Sequence, residues 1–251
     1  MDPIEQLASW IDESPRWVFF GGAGVSTESG IPDFRSENGL YRQKFAYPPE
    51  VMLSRSFFDA HPREFFDFYR EKMIAPGARP NAAHKALAAW EQQGRGVSIV
   101  TQNIDGLHQM AGSRRVWELH GSVHRNYCMR CGKGYPLAFI RHSEGVPRCE
   151  CGGIVKPDVV LYEEGLSERV LHGALQDIAQ ADLLIVAGTS LTVYPAAGLL
   201  QAFSGHHMVV INRTPTPADK KADRLFSQPV GQVLEQVDKL LESGRKIESH
   251  G

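Results

Sequence analysis

All four cysteines of the chain fall in two close pairs, and their spacing is typical of a metal site. Cys128 and Cys131 form a C-x-x-C pair, and after residues 132–148 Cys149 and Cys151 form a C-x-C pair. Two such pairs beside glycines can supply the four thiolates of a tetrahedral zinc site. The alternatives are two disulfides, which a reducing compartment disfavours, and inert buried thiols, which the paired spacing disfavours. The sequence therefore predicts one structural Zn²⁺ without a catalytic role.

The segment Gly21–Arg35 predicts a phosphate-binding turn. It follows the apolar run Trp17–Phe20, which has the length and aromatic content of a buried strand. Three glycines in its first four positions would let the backbone approach a ligand closely. Ser26 or Thr27 could cap a helix whose N-terminal amides face a phosphate. The glycine pattern is not a clean G-x-G-x-x-G, so by itself it indicates only a generic dinucleotide site.

A second polar cluster follows the apolar run 97–101. Gln102, Asn103 and Asp105 together could bind a carboxamide, which offers two donors and one acceptor. His120 ends a short apolar run and precedes Gly121, a position suited to a general base. A histidine taken alone is more often structural, and the chain has 10 of them.

These side chains must be positioned by strands that alternate with helices. Continuous apolar strands between helical segments predict an α/β fold with a doubly wound parallel sheet, whose ligands bind beyond the strand ends. The dense aromatics of 57–73 predict a helix that packs against the following loop, with a substrate channel as the alternative. The predicted strands are 17–20, 97–101, 116–119, 159–162, 183–187, 208–211 and 224–226, and the predicted helices are 4–13, 57–73, 82–93, 166–180, one from about 195, and 231–242.

The composition is that of an ordinary globular protein. The chain has 251 residues, 42% of them hydrophobic and 22% charged, with a formal net charge of −2. This charge disfavours direct binding of nucleic acid or of an anionic membrane. No apolar run reaches the roughly 20 residues that span a bilayer, and the acidic N-terminus lacks the order of a signal peptide. A cytoplasmic protein is therefore expected.

The motifs taken together are more specific than any one of them. In this order they closely resemble the sirtuins, NAD-dependent protein-lysine deacylases, and most closely the compact bacterial members, from about residue 5 to 240. The motifs that carry the resemblance are Gly22-Ala23-Gly24-Val25-Ser26, Gly30-Ile31-Pro32-Asp33-Phe34-Arg35, Thr101-Gln102-Asn103-Ile104-Asp105, Leu119-His120-Gly121, the paired cysteines and Gly188-Thr189-Ser190.

The resemblance implies a Rossmann-type sheet with a small inserted zinc-binding module and a helical and loop insert. The NAD-binding domain would comprise 1–35, 81–123 and 155–245, the cofactor loop and helical insert 36–80, and the zinc-binding module 124–154. His120 would be the general base, and Asn103 a second catalytic residue. NAD would contact Ala23, Gly24, Thr27, Asp33, Phe34, Arg35, Gln102, Asn103, Ile104, Asp105, His120, Gly188, Thr189, Ser190, Asn212, Arg213 and Val230.

The implied reaction transfers an acyl group from lysine to ADP-ribose and releases nicotinamide. Val159, Val160, Leu161 and Tyr162 would form a strand edge that pairs with an extended acyl-lysine peptide of a partner protein. Sirtuins that prefer acidic acyl groups carry a Tyr-x-x-Arg pair, for which this chain has Phe66 and Tyr69, so neutral acyl groups are expected. A monomer is favoured.

Three other classes of function compete with the deacylase. A mono-ADP-ribosyltransferase or NAD hydrolase would share the cofactor site without needing a tunnel for acyl-lysine. A non-catalytic binding module is disfavoured by His120 and Asn103. Hydride transfer is disfavoured because Phe34 and the Gln-Asn-Asp cluster suit the departure of nicotinamide better than presentation of its ring.

Overall fold

A six-stranded parallel sheet forms the centre of the computed structural model, which describes residues 2–34, 39–40 and 45–248. Its strands lie in the order β3-β2-β1-β7-β8-β9, the strand order of a Rossmann fold. They are β1 (Trp17–Gly21), β2 (Val97–Thr101), β3 (Val116–Glu118), β7 (Leu183–Ala187), β8 (His207–Ile211) and β9 (Arg224–Phe226). The apolar side chains of β1, β2, β7 and β8 are buried on both faces, which explains why continuous apolar runs predicted these strands.

Helices cover both faces of this sheet. One face packs against α1 (Pro3–Glu13), α5 (Ala82–Gln92) and α9 (Val230–Glu248), and the other against α8 (Glu168–Ala179). The short α6 (Leu107–Ala111) was not predicted. Asp2 caps α1 through a hydrogen bond from the Ile4 amide, and Asn81 caps α5.

Two predicted helices are wrong in type. The glycine turn leads into two single 3₁₀ turns, at Ala23–Val25 and Thr27–Ser29, and not into an α-helix; Ser26 makes no side-chain cap. The segment after Pro195 is likewise a 3₁₀ helix, Ala196–Ala202. The second 3₁₀ turn ends at Gly30, whose backbone is left-handed at φ 82°. A left-handed residue does not continue a right-handed helix, so the segment stays a short turn.

The helical insert contains α2 (Pro49–Met52), α3 (Arg55–Ala60) and α4 (Pro62–Lys72). The predicted single helix over 57–73 is therefore divided at Pro62, whose ring cannot continue a helix from the preceding turn. Its aromatic side chains are buried in a core shared with the small sheet, which favours the packing interpretation over a channel; they are Phe57, Phe58, Phe65, Phe66, Phe68 and Tyr69.

A three-stranded antiparallel sheet carries the cysteines. It consists of β4 (Gly121–Cys128), β5 (Gly134–Pro136) and β6 (Val155–Val159), in the order β5-β4-β6, with α7 (Leu137–His142) beside it. The predicted strand over 159–162 is wrong, because β6 ends at Val159. The domain division remains a prediction, and β4 begins before its boundary at 124.

Among the described residues, no helix combines the length and the apolar character that crossing a membrane requires.

Candidate active site

A cavity of about 900 Å³ opens at the carboxyl ends of the parallel strands. It lies at the switch point between β1 and β7, where the strand order reverses and where such sheets bind ligands. The cavity lining includes the following predicted site residues: Ala23, Gly24, Thr27, Asp33, Phe34, Gln102, Asn103, Ile104, Asp105, His120, Val159, Val160, Leu161, Tyr162, Gly188, Thr189, Ser190, Asn212, Arg213 and Val230. The predicted contact Arg35 lies outside the described residues.

Glycines bring the loops after β1 and β7 into direct backbone contact. The Gly24 amide donates to the Gly188 carbonyl at 2.8 Å. A Cβ at Gly24 would lie 2.7 Å from the Gly188 Cα, and one at Gly22 would lie 2.8 Å from the Gly188 carbonyl oxygen. Gly188 itself is left-handed at φ 57°. The main role of these glycines is therefore to let the two loops pack against each other. The sequence did not predict this role.

Asn103 and Asp105 are joined through Ser26. The Asn103 Nδ2 donates to the Ser26 Oγ at 3.0 Å, and that hydroxyl donates to the Asp105 Oδ2 at 2.7 Å. The other Asp105 oxygen accepts from the Leu107 amide at 2.9 Å. Asn103 and Ser26 are buried, and these hydrogen bonds fix the Asn103 amide and the Asp105 carboxylate, both after β2, to the loop after β1. Sequence reasoning considered Ser26 only as a helix cap and missed this role.

Gln102 links the same wall to the loop after β7. Its Nε2 donates to the Thr189 Oγ1 at 2.9 Å. Its main-chain carbonyl contacts the Nδ1 of His120 at 2.9 Å. A carbonyl oxygen only accepts, so Nδ1 carries the proton and Nε2 is left as the basic nitrogen on the cavity side. Burial lowers the pKa of His120 below its ordinary value, and the hydrogen bond to Gln102 opposes that shift in part.

The opposite wall is the segment that follows β6. The Val160 amide donates to the His120 carbonyl at 3.0 Å, the Leu161 amide to Glu164 Oε2 at 2.9 Å, and the Tyr162 amide to the Leu53 carbonyl at 3.0 Å. Three successive donors are thus engaged within the chain. Within the described residues the Val160 carbonyl accepts no hydrogen bond, so it is the free backbone acceptor of this wall.

The adenosine side predicted for NAD contains Asn212, Arg213 and Val230. The Asn212 Nδ2 donates to the Thr214 carbonyl at 2.7 Å, which fixes the turn after β8. Val230 is the first residue of α9, and the carboxylate of Glu28 accepts from the next amide, that of Gly231, at 2.6 Å. All three predicted residues line the cavity.

The four cysteine thiols converge away from this cavity. Their sulfur atoms all lie within 4.8 Å of one another. The Sγ atoms of Cys128 and Cys151 are 3.4 Å apart, and those of Cys131 and Cys149 are 3.6 Å apart. A tetrahedron with Zn–S bonds of about 2.3 Å has sulfur-to-sulfur edges of about 3.8 Å. The donor set and its spacing therefore fit a closed structural zinc site.

Comparison with known proteins gives the family. Residues 22–195 match the Sir2 family, which is most of the chain. The protein belongs to the Sir2 family. It is 59% identical over 241 residues to the NAD-dependent protein deacetylase of Clostridium acetobutylicum, covering 94% of this chain and 98% of the relative. It is 58% identical over 237 residues to that of Cutibacterium acnes, covering 94% and 97%.

Solved Sir2 structures have the same fold. One, of Sir2 with deacetylated p53 peptide and 3′-O-acetyl ADP ribose, superposes with a TM-score of 0.88 at 38% identity, covering 94% of this chain and 98% of that one. Another, a Sir2 homologue in complex with NAD, gives 0.87 at 36% identity, with 97% and 95% covered. The predicted sirtuin relationship and its Rossmann-type fold are confirmed.

The positions that decide acyl charge in some sirtuins lie outside this cavity. Phe66 and Tyr69 are fully buried in the helical insert, and burial raises the pKa of the Tyr69 hydroxyl. The neighbouring Arg70 donates to the main-chain carbonyls of Ile140 and Gly145. None of the three lines the cavity.

Several lining residues were not predicted from the sequence. His124 contacts the main-chain oxygen of Asp105 at 3.0 Å. Lys72, Arg141 and Tyr194 also reach the lining. They come from α4, α7 and the loop after β7, and none belongs to a recognisable motif. Only their position in the folded chain brings them to the cavity.

Proposed function

We propose that this Sir2 protein is an NAD-dependent protein-lysine deacetylase that transfers the acyl group to ADP-ribose and releases nicotinamide. The observation that carries the proposal is the position of His120 between the two walls. Its Nδ1 is held by Gln102 of the wall with the glycine turn, and its carbonyl accepts from Val160 of the opposite wall. The curated relatives at 56–59% identity are NAD-dependent protein deacetylases.

The wall with the glycine turn suits a dinucleotide. We assign the diphosphate to the loops of Ala23, Gly24 and Thr27 and of Gly188, Thr189 and Ser190. Asn212, Arg213 and Val230 would contact the adenosine. Gln102, Asn103, Ile104 and Asp105 would hold the nicotinamide and its ribose, with Asp33 and Phe34 covering them. When bound, NAD supplies a ribose carbon from which nicotinamide departs.

His120 acts as the general base in this proposal. A base must be unprotonated at the working pH, and the lowered pKa keeps the ring neutral at pH 7. The hydrogen bond to Gln102 fixes the tautomer, so Nε2 is the atom that accepts a proton from a ribose hydroxyl. Activity should therefore rise with pH through a midpoint below 6.5, the ordinary value of histidine.

The wall after β6 receives the acyl-lysine peptide in this proposal. Val159, Val160, Leu161 and Tyr162 remain the proposed contacts, although only Val159 belongs to a strand. Because the amides of 160–162 are engaged, substrate donors must be received by a carbonyl, and that of Val160 is available. Phe66 and Tyr69 bring no cation to the cavity, so we propose neutral acyl groups, acetyl first.

Further parts of the proposal concern the setting of the enzyme. We infer a cytoplasmic protein that acts as a monomer on acyl-lysine proteins and binds neither nucleic acid nor membrane. The clustered cysteines support a reducing compartment, because they fit a metal site and none is paired in a disulfide.

The deciding experiment measures nicotinamide release with and without an acetyl-lysine peptide. We expect release to depend on the peptide and to fall by about 10²–10⁴-fold in His120→Ala. His172→Ala, an exposed histidine on α8, is the matched control and should match the wild type. Equal release without peptide would instead favour an ADP-ribosyltransferase or NAD hydrolase.

A further inference from the structure

Lys156 is a buried cation beneath the peptide wall. Its side chain is 2% exposed. The ammonium lies 2.9 Å from the Val159 carbonyl, 3.3 Å from the Pro157 carbonyl and 3.1 Å from the Glu164 Oε2. An ammonium has three donors, and all three are engaged. The cost of burying a charge is met here by two carbonyls and one carboxylate of the same short segment.

Glu164 extends this contact to the end of the segment. The oxygen that pairs with Lys156 also accepts from the Leu161 amide at 2.9 Å, and the other oxygen accepts from Arg55 Nη1 at 3.2 Å. The Glu164 amide donates to the Leu161 carbonyl at 3.0 Å. Between them Glu163 is left-handed at φ 76°. The turn 161–164 is therefore closed by both the main chain and the side chain of Glu164.

The ion pair thus holds a stretch that lies beyond the β4–β6 pairing, which ends at Val159. Beyond Val159 the Val160 amide donates to the His120 carbonyl, while the Val160 carbonyl accepts from none of the described residues. The direction of that carbonyl depends on the peptide planes on either side of it. The carbonyl before it, that of Val159, is held by Lys156, and the amide after it, that of Leu161, is held by Glu164. The Val160 carbonyl therefore lies between two peptide groups, one held by Lys156 and the other by Glu164.

We infer that Lys156 is a positioning residue for the acyl-peptide substrate, acting with Glu164 to orient Val160 beside His120. The inference rests on the proposed function, since it concerns the peptide of that reaction. Lys156 does not line the cavity and takes no part in the chemistry. Its contribution is to peptide binding, whereas the nucleotide is held by the loops after β1 and β7.

The test compares the two substrates in Lys156→Met, which keeps the length of the side chain and removes the charge. We expect the KM for an acetyl-lysine peptide to rise about tenfold, with the KM for NAD within about twofold of the wild type. Lys239→Met is the matched control, because it breaks an exposed pair with Glu235 on α9 and should change neither constant.

A double variant separates positioning from stability. Glu164→Gln leaves the Lys156 charge buried without a countercharge and should lower the thermal midpoint. Adding Lys156→Met removes that charge, so the midpoint should recover while the peptide KM stays high. Lys156→Arg keeps a cation at the site and should restore part of the peptide affinity.

Two results would overturn the inference: a peptide KM unchanged in folded Lys156→Met, or an equal rise in both KM values. If Lys156→Met does not fold, the double variant decides by the same two criteria. Failure of the proposed function would be recognised separately, because the wild type itself would then release nicotinamide without peptide. In that case the inferred role of Lys156 would be wrong as well.

Discussion

The loops after β1 and β7 hold each other by direct backbone contact, whereas the wall after β6 adds a buried ion pair to its main-chain hydrogen bonds. On the nucleotide wall the Gly24 amide meets the Gly188 carbonyl, with no room for a Cβ at either residue. On the peptide wall Lys156 of β6 pairs with Glu164. The segment between them leaves the small sheet that carries the four cysteines. The nucleotide wall requires glycines, because a side chain would separate its loops. The peptide wall requires the Lys156–Glu164 pair and a sheet whose cysteines fit a zinc site.

Loss of zinc should separate the two walls most strongly. β6 pairs with β4, and Val155 lies opposite the ligand Cys128. In Cys128→Ser we expect peptide-dependent nicotinamide release to fall about 100-fold, because structural zinc stabilises the sheet that precedes the peptide wall. Binding of ADP-ribose, measured by calorimetry, should change by less than about fivefold, because the parallel sheet has its own core.

Met129→Ser is the control for the zinc prediction, because Met129 is 40% exposed and lies between the two ligands of one pair. It should keep both zinc and activity. A wild type that folds and works without any bound metal would contradict the zinc site itself. Equal loss of nucleotide and peptide binding would contradict the independence of the two walls.

Substitution at Gly24 should damage the nucleotide wall instead. The Cβ of Gly24→Ala would meet the Gly188 backbone at 2.7 Å, and backbone cannot swing aside as a flexible side chain can. We expect NAD to bind about tenfold more weakly, a cost of about 1.4 kcal/mol. The KM for the acetyl-lysine peptide should stay close to that of the wild type.

Gly134→Ala is the matched control for that experiment. Gly134 lies on β5, and a Cβ there would have nothing within 4 Å. Its NAD affinity should equal that of the wild type. Wild-type NAD binding in Gly24→Ala would show that the two loops are free to separate, against the contact described above.

The smallest effect is expected behind the nucleotide wall, where His84 and His108 are buried 4.7 Å apart. Burial lowers the pKa of His84 to about 4 and also lowers that of His108. Between pH 6.5 and about 4 the unfolded chain therefore binds more protons than the folded chain, so stability falls as the pH falls. From pH 7 to 5 His84 should remove about 2 kcal/mol from the free energy of unfolding, and His108 acts in the same direction.

His108→Leu should make this loss of stability shallower, as measured by urea unfolding at several pH values. The same substitution at His172, exposed on α8, should leave the pH dependence as in the wild type. An identical slope in His108→Leu and wild type would contradict the assignment of the acid sensitivity to this pair.

The sequence predicted the large sheet well, because its central strands β1, β2, β7 and β8 are buried on both faces and read as apolar runs. It also predicted where Gln102, Asn103 and His120 lie, since polar residues after such strands meet at one edge. It predicted neither β4 nor β5, whose buried and exposed residues are interspersed and do not read as continuous apolar runs.

Long-range polar contacts were likewise beyond the sequence. Nothing local indicates that Ser26 joins Asn103 to Asp105, or that Lys156 pairs with Glu164 beneath the wall. The resemblance to sirtuins supplied residue roles but not these supports. The extended strand over 159–162 was wrong because its apolar residues line a cavity and a turn, an environment that also favours Val and Leu.

The contact between Gly24 and Gly188 has a consequence for synthesis of the protein on the ribosome. One partner is made early and the other only after the helical insert, the zinc ligands and α8. The four cysteines, by contrast, leave the ribosome within a short stretch of chain and close a local loop. The four thiols can therefore meet before the loops after β1 and β7 can, so the proposed nucleotide wall is completed only late in synthesis.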